Sequence, residues 1–336
     1  TFVQVPFNIG MLGQITYRGD FTGFISDFVT YGTVQTAIGS IKTDISLKED
    51  KTINDYRYSG SVHLQQFNLG TFYSTESLGP ITCLVNIEGS GLELRKANAS
   101  FDATIQELQA NGYSYSNIEA SGNFQHKAFT GNVIANDPNL VLNFNGTMDF
   151  AQEQPLLDFK AHIQHANLKT LNILSDYNYS ALSGDIQIRS VGLEFEKFVG
   201  EIIVDDLTYC AMDRDYYLNQ LSVRSTRGGI PKITLQSDIA FAELTGEYKL
   251  SEIGPSFVEV ASRIFPSFNP TIRAHKTQNF TLKAQIYDVS QITNVFLPEL
   301  SIASGTRINL ELNEPDSFFQ TTISCPLLLY QNNSIE

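Results

Sequence analysis

The stretch Leu140-Val141-Leu142-Asn143-Phe144-Asn145-Gly146-Thr147-Met148-Asp149-Phe150 decides the fold class of this chain. Every second residue is apolar or glycine, and from Asn143 onward the residues between them are polar. Successive side chains of a strand point to opposite faces, so this pattern predicts a strand with one apolar face. Parallel strands buried under helices on both faces would read as continuous apolar runs. The pattern therefore disfavours a doubly wound α/β fold.

The same alternation recurs along the chain. It is found at residues 81–87, 118–124, 159–163, 186–188, 233–241, 282–286 and 308–312. Glycines that signal turns separate these runs about every ten to twelve residues. We therefore expect an all-β fold built as an antiparallel meander of roughly twenty short strands.

Helical periodicity is confined to three short stretches: 255–265, 290–296 and 167–174. No low-complexity linker divides the chain, so we expect residues 1–336 to form one continuous segment without an internal boundary. The chain starts at Thr1 without a Met or a signal-like stretch, and we expect it to be part of a longer chain.

Charge and cysteine content exclude several classes of function. The chain has 22 Lys plus Arg against 36 Asp plus Glu, a net charge of −14, and no basic stripe, so we expect no nucleic-acid partner. Cys83, Cys210 and Cys325 form neither a zinc pattern nor a disulfide framework, and we expect them to be small buried apolar residues. No apolar run approaches the ~18 residues of a membrane-spanning helix.

The sequence offers no motif for catalysis, metal or cofactor. HExxH, GxSxG, GxxxxGK[ST] and GxGxxG are all missing. His162 and His165 are three residues apart, which would place them on opposite faces of a strand. The acidic pairs Asp205-Asp206 and Asp213/Asp215 lack the spacing of a calcium loop. We therefore expect no catalytic residue, no metal ligand and no cofactor.

A sheet with this many one-sided strands must cover its apolar face. Two stacked sheets, a barrel and a curled sheet with a lipid-filled groove would each do so, and alternation alone leaves the three open.

The order of several motifs in the first half of the chain resembles the AsmA/TamB-like family, and in particular the TamB-type translocation and assembly module of Bacteroidota. The residues that carry the resemblance are Gly19–Phe24, Tyr31-Gly32, Tyr58–Gly60, Phe67–Gly70, Asn111–Tyr113, Gly122, Phe129, Gly131, Asp137–Leu140, Phe144, Gly146 and Ala166–Leu168.

This resemblance implies a β-taco, a long curled antiparallel sheet whose U-shaped groove holds acyl chains against its concave apolar face. It implies an envelope protein of the periplasm, anchored to the inner membrane through a segment absent here, that transfers phospholipid for outer-membrane biogenesis. The implied partners are phospholipid, which is then the one bound molecule expected, an Omp85-type outer-membrane barrel, and the remainder of its own chain by strand addition.

The alternating apolar residues are the candidate lining of such a lipid groove. They are Ile81, Val85, Ile87, Leu140, Leu142, Phe144, Met148, Phe150, Phe159, Ala161, Ile163, Ile186, Ile188, Ile233, Leu235, Ile239, Phe241, Leu282, Ile286, Ile308, Leu310 and Leu312. Dispersion contacts without a polar grip would let an acyl chain slide, at about 0.8 kcal/mol for each methylene kept from water.

Two other functions compete with lipid transfer. A structural or adhesive β-sandwich would bury the apolar faces against each other. A secreted polysaccharide-active β-protein would bring aromatic and acidic residues together on the polar face, although the absence of Trp weakens that alternative.

Overall fold

A computed structural model describes most of the chain. The described residues are 9–93, 95–174, 180–192, 194, 196–211, 214–253, 256, 278–290, 300–316, 318–330 and 333–335. The structure is 70% strand and 5% helix. Eighteen of the described strands belong to one antiparallel sheet that is not closed into a barrel, and three short strands form a second sheet. The predicted all-β class with a long antiparallel sheet and few short helices is confirmed.

The described strands follow one another with few interruptions. They are β1 (Thr16–Phe24), β2 (Asp27–Thr36), β3 (Gly39–Asp50), β4 (Asp55–Asn68), β5 (Leu78–Ser90), β6 (Asn98–Ala110), β7 (Tyr113–Gln125), β8 (Ala128–Asp137), β9 (Leu140–Asp149), β10 (Leu156–Asn167), β11 (Ser180–Val191), β12 (Val199–Ala211), β13 (Arg214–Thr226), β14 (Lys232–Ser237), β15 (Ala240–Glu247), β16 (Asn279–Ile286), β17 (Leu300–Ile302), β18 (Arg307–Asn313), β19 (Phe318–Ser324), β20 (Leu328–Tyr330) and β21 (Asn333–Ile335).

The helices with described bounds are not where periodicity predicted them. They are the α-helix α1 (Leu69–Tyr73) and two 3-10 helices, Ile9–Leu12 and Leu250–Glu252. The Asn68 side chain caps α1 by accepting a hydrogen bond from the Thr71 N–H. The predicted helix at 167–174 is wrong, because hydrogen-bonded turns follow β10 there. The other two predictions fall almost wholly outside the described residues.

The chain divides into two compact units. Unit 1 comprises residues 1–183 and 210–214, and unit 2 comprises residues 184–209 and 215–336. The division runs inside strands β11, β12 and β13 rather than through a linker. The expectation of one continuous segment stays a prediction.

In unit 1, strands β1 to β10 pair antiparallel in sequence order, and the register aligns their side chains into four rows on one face. The first two rows are Tyr17, Val34, Ile41, Leu64, Cys83, Ile105, Ile118, Ala135, Leu142 and Ile163, then Gly19, Gly32, Thr43, Val62, Val85, Ala103, Ala120, Val133, Phe144 and Ala161. The other two are Phe21, Thr30, Ile45, Gly60, Ile87, Phe101, Gly122, Gly131, Gly146 and Phe159, then Gly23, Phe28, Leu47, Tyr58, Gly89, Ala99, Phe124, Phe129, Met148 and Leu157. We call these four rows the apolar face of unit 1.

Candidate functional site

The apolar face of unit 1 carries no Asp, Glu, Lys, Arg or His in its four rows. The alternate residues of the same strands point to the other face and are rich in Asn, Ser, Thr and charged side chains. Phe144 is only 8% exposed, whereas its neighbours Asn143 and Asn145 are exposed. Period-2 alternation therefore separates an uncharged surface from a hydrophilic one.

Most of the predicted lining residues in unit 1 share this face. Val85, Ile87, Leu142, Phe144, Met148, Phe159, Ala161 and Ile163 lie in its four rows, and Ile81 and Leu140 lie on the same side of β5 and β9, two residues before the first row. Phe150 follows the last residue of β9 and is 45% exposed, so it lies beyond the paired strands.

Aromatic rings cover a side-chain-free patch at the middle of this face. Gly122, Gly131 and Gly146 pair directly on β7, β8 and β9. The rings of Phe129 and Phe144 have centroids 6.2 Å apart, and Phe144 lies 5.0 Å from Phe159. The glycines leave room for these rings, which screen the half-buried glycine backbone from water.

Two strands of this face, β6 and β8, were not among those predicted to line it. Phe101 is the cross-strand neighbour of Gly122, and its ring centroid is 6.0 Å from that of Phe129. The alternation Phe101/Ala103/Ile105 and Phe129/Gly131/Val133 carries the same period-2 signal as β9. That signal could have identified both strands.

Short helices close one margin of the apolar face. Phe67, Ile81 and Cys83 form a buried cluster, and Leu12, Leu69 and Phe72 of the first 3-10 helix and α1 pack against it. Burial raises the pKa of the Cys83 thiol, so Cys83 stays neutral at physiological pH. This confirms the expectation of a buried apolar cysteine for Cys83. Cys210 and Cys325 form no disulfide, and both are only half-buried.

A buried carboxylate fixes the turns at the same margin. Asp137 is 2% exposed and accepts hydrogen bonds from the Tyr113 hydroxyl at 2.6 Å, from the Ser116 N–H and hydroxyl at 2.9 Å each, and from the Asn139 N–H at 2.8 Å. Burial by itself would raise the pKa of Asp137, but these hydrogen bonds to the ionised form hold that pKa below its ordinary value. Asp137 therefore ties the start of β7 to the turn after β8 at this margin.

Unit 2 has an uncharged face of its own. On strands β14, β15, β16 and β18 the register aligns Ile233, Leu244, Leu282 and Leu310 in one row. The predicted residues on this face are Ile233, Leu235, Leu282, Ile286, Ile308, Leu310 and Leu312. Leu244, Phe280 and Leu312 form its buried cluster, against which Leu250 and Ile253 pack.

Two predicted residues of unit 2 do not belong to that face. Phe241 pairs with Gln236 and Gln285, which places it on the polar face. Ile239 lies in the turn between β14 and β15, where its carbonyl accepts the N–H groups of Tyr287 and Asp288. The physical reason is that the chain reverses after Ser237, whose hydroxyl accepts from the Ala240 N–H. The alternation from Ile233 to Phe241 therefore spans a hairpin, not one strand.

Ile186 and Ile188 lie on β11 and are half-buried. Gly184 and Ser190 are buried while Asp185 and Arg189 are exposed, so the two isoleucines share the more buried side of this strand.

His162 and His165 do not lie on opposite faces of β10, as their spacing predicted. A β-bulge between Ile163 and His165 places His162 opposite Asn143 and His165 opposite Val141, so both lie on the polar side of β10. No group of three or more His, Cys, Asp or Glu side chains suited to a metal ion is found within the described residues. In the same part of the chain, no helix is long and apolar enough to cross a membrane.

No protein-family model matches the chain, and neither the curated proteins nor the solved structures give a significant match.

Proposed function

We propose that this chain is a non-enzymatic lipid-binding and lipid-transfer scaffold that carries phospholipid acyl chains along the apolar face of unit 1. The observation that supports it is the register of ten consecutive strands, which lines up four rows without a charged side chain. An acyl chain gains about 0.8 kcal/mol for each methylene transferred from water to such a surface. A surface without charged side chains retains the chain without trapping it at one position.

The proposed location and partners of the protein come from its resemblance to the TamB-type family. This resemblance favours a periplasmic protein of the cell envelope, anchored to the inner membrane, that acts in outer-membrane biogenesis with an Omp85-type barrel. Strand addition by the remainder of its own chain would use the free backbone edge of a terminal strand. β1 is suited to that role, since all nine of its residues are exposed.

The experiment that tests lipid binding compares the two faces of one strand. Phe124 and Asn123 are neighbours on β7 that point to opposite faces. A photoreactive benzophenone amino acid is placed at Phe124 in one variant and at Asn123 in the other, and adducts formed in cells are identified by mass spectrometry. We expect phospholipid adducts at position 124 and not at 123. Adducts at position 124 only to residues of the protein itself would mean that the face is a closed core.

A further inference from the structure

The turn between β7 and β8 has an unusual backbone for its residues. Gln125 pairs with Ala128, and the two loop residues, His126 and Lys127, have φ values of 50° and 74°. A two-residue hairpin loop with two positive φ values favours Asn-Gly, because a Cβ crowds the backbone carbonyl at positive φ and Gly and Asn tolerate that region best. The chain uses that solution in the β6–β7 turn, where Asn111 and Gly112 have φ values of 49° and 76°.

His-Lys therefore occupies a turn for which this same sheet uses Asn-Gly elsewhere. Strained backbone is kept where the side chains serve a purpose that the local conformation does not explain. The hairpin itself would form better with Asn-Gly, so the side chains of His126 and Lys127 are the feature that needs an explanation.

Two more basic residues lie beside this turn. The His126 N–H donates to the Ala97 carbonyl at 3.0 Å, which joins the turn to the loop that carries Arg95 and Lys96. Lys96 has an exposed partner in Glu93, at 3.3 Å. Within the described residues no ion pair engages Arg95 or Lys127. Lys127, Arg95 and Lys96 thus outnumber the carboxylates that adjoin the turn by sequence or register, Glu93 and Asp149, in a chain whose net charge is −14.

The cations adjoin the aromatic end of the apolar face. Phe124 and Phe129 pair directly, and each lies two residues from the turn, or about 7 Å along its strand. The α-helix and the first 3-10 helix pack at the opposite margin, where the Asn111-Gly112 turn lies. A phospholipid has its phosphate immediately next to its acyl chains, so acyl chains on the fourth row would bring a phosphate to His126, Lys127, Arg95 and Lys96.

We propose that these four residues form a headgroup site for the phosphate of an anionic phospholipid. This inference rests on the proposed function and adds a lipid class to it. The positive charges of Lys127, Arg95 and Lys96 attract the headgroup charge, while the apolar rows hold the acyl chains.

The test gives the β7–β8 turn the residues of the β6–β7 turn. The native chain and the variant His126→Asn/Lys127→Gly are incubated with vesicles of equal phosphatidylglycerol and phosphatidylcholine content, and the bound lipid is extracted and measured by mass spectrometry. We expect the native chain to enrich phosphatidylglycerol and the variant to lose about fivefold of that enrichment, the effect of one cation at a lipid surface. We also expect the variant to unfold at a higher temperature, because Asn-Gly relieves the turn.

Three further measurements separate the outcomes. Arg95→Gln/Lys96→Gln should also lower the enrichment, whereas Lys42→Gln/Lys160→Gln, which removes two cations from the polar face, should not. Equal loading of both lipids by the native chain would overturn the headgroup site and leave lipid binding intact, and no loading of either lipid would overturn both. Saturable binding of inorganic phosphate alone by the native chain, lost in the turn variant, would assign the site to free phosphate and overturn the lipid assignment.

Discussion

Asp137 is a buried carboxylate that ties the start of β7 to the turn after β8. Its two carboxylate oxygens accept all four of its hydrogen bonds. In Asn one of those oxygens is replaced by an NH₂ group, which donates and cannot accept. We expect Asp137→Asn to lower the free energy of unfolding at pH 7 by about 1–3 kcal/mol, the usual cost of unsatisfied buried hydrogen-bonding groups. Urea denaturation followed by circular dichroism measures this loss.

The pH dependence of that loss has a definite sign. The pKa of Asp137 is lower in the folded chain than in the unfolded chain, so its stabilisation is fully present above the unfolded value of about 3.9 and disappears as the pH falls through the folded value. The stability gap between native chain and variant should therefore narrow below about pH 4. Asp102→Asn, at an exposed position on β6, is the control and should change stability by less than about 0.5 kcal/mol. A gap that stays constant from pH 7 to pH 3 would contradict the role of the charge.

At the scale of elements, the paired glycines Gly122, Gly131 and Gly146 set how closely β7, β8 and β9 approach. A Cβ on Gly131 would lie 2.1 Å from the Ser121 carbonyl oxygen and 2.7 Å from the Gly122 Cα, both backbone atoms that cannot rotate away. We expect Gly131→Ala to destabilise unit 1 by about 1–3 kcal/mol, as overpacking does, and to displace the Phe129 and Phe144 rings. Thermal unfolding and hydrogen exchange of the β7–β9 amides measure the two effects.

The matched control is Gly228→Ala, because a Cβ there would meet nothing within 4 Å. It should change stability by no more than about 0.5 kcal/mol. If the two variants were equally stable, close strand approach at Gly131 would not be a requirement of the sheet.

The strands and helices also show which features of the fold can be predicted from a single sequence. Alternation in β9 predicted its apolar face correctly, because the period of a strand is local information. It failed between Ile233 and Phe241, since Ser237-Asp238 is a weak turn signal and reversal of the chain restores the apparent alternation on the wrong face. It missed α1, because five residues are too few to show helical periodicity. The partnership of glycines with rings from other strands, as in Phe159 opposite Gly146, depends on register, which alternation leaves undetermined.

At the scale of the whole molecule, charge and apolar surface are segregated. The chain carries 58 charged residues, 22 basic and 36 acidic, yet the aligned apolar rows of unit 1 and of unit 2 contain none. Binding of an amphiphile to such surfaces should depend on the length of its acyl chain more than on directional contacts. We therefore predict that the dissociation constant for lysophosphatidylglycerol falls about fourfold for each added methylene, the equivalent of ~0.8 kcal/mol.

Titration with homologues of ten, twelve and fourteen acyl carbons, each below its critical micelle concentration, tests this prediction by displacement of a fluorescent fatty acid. The headgroup is the same throughout, so any trend reports the acyl chain alone. Val85→Asp, which puts a charge into the second row of unit 1, should weaken binding of the longest homologue, whereas Asn86→Asp on the opposite face of β5 should not. An affinity that levels off after ten carbons would indicate an enclosed pocket of fixed length, because only an open and repetitive surface continues to accept added methylenes.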